Sequence, residues 1–85
     1  PLLPAILNIL GMCAWGRGDF KQARGYYEKA LKACRGKACA LIKADSLNNL
    51  GLLDWKAGRL ERALGRLRQA LAAFQKIVFS TSFFG

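Results

Sequence analysis

The sequence contains no histidine, only two prolines and only five acidic residues among eighty-five. Without histidine, the commonest general base and metal ligand is missing. The acids Asp19, Glu28, Asp45, Asp54 and Glu61 are spread along the chain, and no two are spaced to work as an acid–base pair. Gly16-Arg17-Gly18 lacks the flanking strand and further glycines of a phosphate-binding loop. Cys34-x4-Cys39 has no second half with which to hold zinc. These gaps point away from an enzyme and away from any cofactor or metal site. The cysteines Cys13, Cys34 and Cys39 are odd in number and lack the spacing of a disulfide scaffold, so a reducing, cytoplasmic setting is expected. Residues 1–16 carry no formal charge, but no basic region precedes them and the run is too short to span a bilayer, so no membrane association is expected. Both prolines fall within the first four residues, leaving nothing to break a helix further on. The chain begins at Pro1 rather than methionine, and it is expected to be part of a longer protein.

What is present is ordinary for one folded domain: 53% hydrophobic and 22% charged residues. A chain of this length buries roughly 60% of its extended surface, enough for a modest core. Fourteen lysines and arginines against five acids leave a net charge of +9, a balance that favours acidic partners.

The strongest signal is internal repetition. Shifted by 40 residues, the chain matches itself at eleven of thirty positions between 7–36 and 47–76. The identities include Leu7/Leu47, Asn8/Asn48, Leu10-Gly11/Leu50-Gly51, Trp15/Trp55, Gly18/Gly58, Ala23/Ala63 and Ala30-Leu31/Ala70-Leu71. A fixed period of this size is the signature of stacked supersecondary units. Each unit reads as two helices. The apolar residues Leu7, Leu10 and Ala14, and Leu47, Leu50 and Leu53, recur at helical spacing. A glycine, Gly18 or Gly58, closes each first helix. Ala23, Tyr27, Ala30 and Leu31 mark the second helix of one unit, and Ala63, Leu67, Ala70 and Leu71 that of the other. Asp19 is placed to cap its helix, whereas Arg59 at the matching place is not. The spacing predicts helices near 4–16, 20–35, 40–56 and 60–76. Gly11 and Gly51 lie mid-helix, where glycine costs about 1 kcal/mol, which implies a neighbour too close for a Cβ. Tyr27 and Leu67 are then expected to fill the space between hairpins.

This pattern of Leu-Gly, aromatic, glycine, alanine, bulky residue and Ala-Leu resembles the tetratricopeptide repeat, over about residues 4–76. The longer period is similar to that of kinesin light chains and of a spindle-orientation adaptor related to Pins. Three features depart from the common pattern. The closing proline is absent at Arg35 and Gln75, the first-helix aromatic sits one place late at Trp15 and Trp55, and the period exceeds the usual value of about 34 residues. The resemblance implies an all-α, right-handed α-solenoid of two helical hairpins, a fragment of a longer array. The hairpins are expected at 1–39 and 40–76, followed by an apolar tail at 77–85.

The resemblance further implies a scaffold or adaptor that holds a partner peptide or helix in the concave groove of its first helices. The motif-matched groove positions are Asn8, Met12, Trp15, Asn48, Leu52 and Trp55. An asparagine both donates and accepts, so Asn8 and Asn48 are expected to grip a partner's backbone at two points. The cations with which chaperone-binding members clamp a terminal carboxylate are missing from these slots. An acidic protein segment is the expected partner. The alternative is nucleic acid, bound along Arg59, Arg62 and Arg66, which form one basic stripe on the convex side. A third reading is a purely structural spacer. The apolar tail, with Phe74, Ile77, Val78 and Phe79, is expected to fold back as a cap, to pair with another copy, or to be the cut edge of a longer array.

Overall fold

A computed structural model describes residues 2–84, with side chains described as far as Phe79. The chain forms α1 (Leu2–Gly16), α2 (Phe20–Ala33), α3 (Ala40–Lys56) and α4 (Leu60–Phe84), with a short 3-10 turn at Lys37–Cys39 ahead of α3. No strand occurs among the described residues. α1 pairs with α2 and α3 with α4, and the two hairpins meet chiefly where α2 packs on α3.

The same turn closes both hairpins. Gly18 and Gly58 adopt left-handed φ values of 78° and 79°. In the first turn, Gly18 N–H donates to Trp15 O at 2.8 Å and Asp19 N–H donates to Ala14 O at 2.9 Å. In the second, Gly58 N–H donates to Trp55 O at 3.0 Å and Arg59 N–H to Asp54 O at 2.8 Å. Both are Schellman motifs, in which glycine takes the positive φ and the last free carbonyls of the helix are satisfied. Asp19 caps α2 by accepting from Gln22 N–H at 3.1 Å.

The mid-helix glycines answer to close approach. A Cβ on Gly11 would lie 2.5 Å from the Tyr27 ring, and one on Gly51 would lie 2.7 Å from Leu67 Cγ. Tyr27 and Leu67 therefore lock against the glycine of their own hairpin rather than only filling the space between hairpins. Tyr27 also reaches the shared core, which joins Ala14, Ala23, Leu50 and Leu53 with Trp15, Tyr26 and Leu31 packed on it. Burial, with a smaller contribution from Cys13, pushes the Tyr27 phenol above its ordinary range.

Two expectations change. α4 runs to Phe84 instead of stopping near residue 76, so the apolar segment continues the helix and does not fold back over the last hairpin. The physical reason is local: between Gly65 and Gly85 there is neither glycine nor proline to end it. The connector also differs, because Cys34 and Cys39 are joined by a disulfide. Gly36, with φ of 72°, and the 3-10 turn bring their Cα atoms to 5.4 Å despite the unpromising spacing. Cys13 is exposed and free.

Candidate functional site

Residues equivalent in the repeat differ in exposure, and the difference shows what each contacts. Asn8 on α1 is 8% exposed. Its side-chain oxygen accepts from Ser46 Oγ at 3.2 Å and from Asn49 Nδ2 at 3.4 Å, both on α3. Asn8 thus ties the first helices of the two hairpins together, and its oxygen is already engaged inside the protein. Asn48, at the same position of the second hairpin, is only half-buried, because no first helix of a further hairpin packs on α3 among the described residues. The tryptophans behave alike. Trp15 is half-buried, packed on the core and edge-on to Phe20 with ring centroids 5.9 Å apart. Trp55 is 61% exposed.

Of the remaining groove positions, Met12 is exposed and Leu52 half-buried. Ile9 on α1 is exposed too. Asp45 on α3 is half-buried, and this burial raises its carboxyl above the ordinary carboxylate range. Of the six candidate contacts, all but Asn8 are therefore accessible at least in part; Asn8 lies between α1 and α3, and half-buried Trp15 packs on the core and on Phe20.

The basic stripe is organised by a residue that sequence reasoning passed over. Asp54, fully buried near the end of α3, faces three arginines. Arg24 Nη2 lies 2.9 Å from Oδ1, Arg66 Nη1 lies 3.2 Å from Oδ2, and Arg59 Nη1 lies 3.8 Å from Oδ1. Arg24 belongs to α2 and Arg66 to α4, so one carboxylate bridges both hairpins. Two arginines of the stripe thus turn toward Asp54, and Arg62 alone of the three is exposed without such a partner among the described residues. A signal for this was present. Asp54 aligns with Ala14, on the apolar face of its helix, and an acid there requires cationic partners.

The model of the tetratricopeptide repeat matches residues 2–76. The chain belongs to the tetratricopeptide-repeat family. No curated protein and no solved structure matches the chain. Tetratricopeptide repeats generally mediate protein–protein interaction and are typically non-enzymatic scaffolds. Among the described residues no group of three or more His, Cys, Asp or Glu side chains could hold a metal ion. Among the described residues no helix is long and apolar enough to cross a membrane.

Proposed function

We propose that this tetratricopeptide-repeat chain binds a segment of a partner protein along the exposed faces of α1 and α3. Met12 and Leu52 supply apolar contact, and Asn48 and Trp55 receive the segment where α3 is uncovered. The observation that carries the reading is the set of large apolar side chains left in water on the two first helices, Ile9, Met12 and Trp55 among them. Large apolar side chains left in water mark an interaction site where they form a contiguous patch. Asn8, bonded to Ser46 and Asn49, holds α1 against α3. The excess of basic residues favours an acidic segment.

The test is selection of peptides from a random display library on the 85-residue chain, with affinities then measured by fluorescence anisotropy. Met12→Ser/Leu52→Ser and Asn48→Ala/Trp55→Ala are each expected to weaken the selected peptides by about tenfold or more without loss of helicity. The selected peptides should be rich in Asp and Glu. Peptides that bind both variants as well as the parent chain would refute the groove. The nucleic-acid reading has less support, because Asp54 already engages Arg59 and Arg66.

A further inference from the structure

A second recessed surface lies on another part of the molecule and does not depend on the groove. A half-open cleft of about 400 Å³ sits where the start of α2 meets the end of α3 and the turn that follows it. Four cations line it: Lys21, Arg24, Lys56 and Arg59. Its remaining wall is apolar, made by Phe20, Leu53 and Ala57. The buried carboxylate of Asp54 engages Arg24 closely and Arg59 at longer range, which leaves a surplus of positive charge. Lys21 and Lys56 have no carboxylate within ion-pair distance among the described residues, and Lys56 Nζ instead stands 5.1 Å from the centre of the Phe20 ring. The nearest other acids by sequence are Asp19, which caps α2, and the exposed Glu61. Arg24 Nη1 and Oδ1 of its ion-pair partner Asp54 are both buried, and neither has a hydrogen-bond partner among the described residues. Lys21 and Lys56 are thus the cations of the cleft that no carboxylate engages, and an anion would complement them.

We infer that this cleft binds a phosphate monoester carried on an apolar stem, as in a phosphorylated side chain of a peptide. A single carboxylate brings one charge to the two unmatched lysines. A monoester presents three acceptor oxygens and close to two charges at neutral pH. The apolar wall takes the carbon skeleton behind the phosphate. A nucleic acid fits less well, because its phosphodiesters carry one charge each and need a continuous basic track with open aromatic faces, whereas Phe20 is already flanked by Lys56 and Trp15.

The experiment is a titration of the 85-residue chain with phenyl phosphate, followed by amide chemical shifts, alongside phenol, inorganic phosphate and a short oligothymidylate. Phenyl phosphate should shift the amides around Lys21, Arg24 and Ala57 saturably, more tightly than inorganic phosphate, with phenol silent. Binding should weaken as the pH falls through the second phosphate ionisation near about 6. Lys21→Gln/Lys56→Gln should lower affinity by about tenfold or more at unchanged melting temperature. Lys32→Gln/Lys76→Gln removes the same charge elsewhere, with Lys32 about 16 Å along α2 from Lys21, and should change affinity less than about twofold. Absence of saturable shifts, equal loss in both double variants, or phenol binding as well as its phosphate would overturn the assignment. So would tighter binding of the oligothymidylate at the same amides, which would make the cleft a nucleic-acid contact.

Discussion

Single residues here act through what they stand against, and the glycines show it. Gly11 faces the Tyr27 ring at a distance no Cβ can tolerate, whereas Gly25 and Gly65 face open space. All three lie within helices. Gly11→Ala should therefore lower stability by about 1–3 kcal/mol through overpacking. Gly65→Ala should raise it by up to about 1 kcal/mol through helix propensity. Urea denaturation of the two variants checks the contrast, and equal effects would mean that Tyr27 moves aside without cost. Asp54 poses the opposite problem, a buried charge whose value lies in its partners. Asp54→Ala would leave Arg24 and Arg66 unpaired at the junction of the hairpins. Each arginine side chain keeps roughly a fifth of its surface in water (22% and 23%), so the loss should fall below that of a fully buried pair. A cost of about 2–3 kcal/mol is expected in the same denaturation experiment.

At the scale of the element, the hairpin turns carry the architecture. Gly18 and Gly58 terminate α1 and α3 with the same pair of hydrogen bonds, which sets each second helix back along the first. Gly18→Ala and Gly58→Ala should each cost about 1–2 kcal/mol, since an L-residue must then hold a left-handed backbone. Thermal unfolding followed by circular dichroism reads this effect. A double variant close to the sum of the singles would show that the turns act independently, as expected for sites with no shared partner. α4 differs from α2 because nothing stops it: it lacks the glycine connector and disulfide that follow α2 at Cys34–Cys39.

For the whole molecule, the two ends of the stack are unlike and mutually suited. Leu50 is fully buried where α3 meets α2, yet its equivalent Leu10 on α1 is 40% exposed. At the other end Leu64 and Leu71 of α4 are exposed, although their equivalents Arg24 and Leu31 are partly covered by the packing of α2 on α3. The α4 face of one copy can therefore receive the α1 face of another, a head-to-tail contact that does not close on itself. Sedimentation velocity should show a concentration-dependent series of oligomers for this chain. Leu10→Lys and Leu71→Lys should each shift it toward the monomer, and an unchanged series in both would exclude these faces.

The repeat was legible because it is local and periodic. Eleven identities at a fixed offset, glycines at the turns and helical spacing of apolar residues were sufficient to give four helices and the family. Each of these depends on a residue's neighbours along the chain. Their consequences across space were not legible in the same way. Asn8 and Asn48 hold the same position in the repeat, yet one is buried and bonded to Ser46 and Asn49 while the other is half-buried, because only α1 has a first helix packed after it among the described residues. Trp15 and Trp55 diverge in the same way. The stripe of arginines looked free because Asp54 lies five residues or more from Arg59 and Arg66 along the chain and on another helix. Cys34 and Cys39 meet only through the turn at Gly36. The sequence by itself thus determined the elements, their turns and their family, since short-range backbone chemistry governs those. The tertiary structure alone decided which equivalent residues are covered, which charges are matched and which cations line one cleft, since those depend on what the neighbouring hairpin brings within a few ångströms.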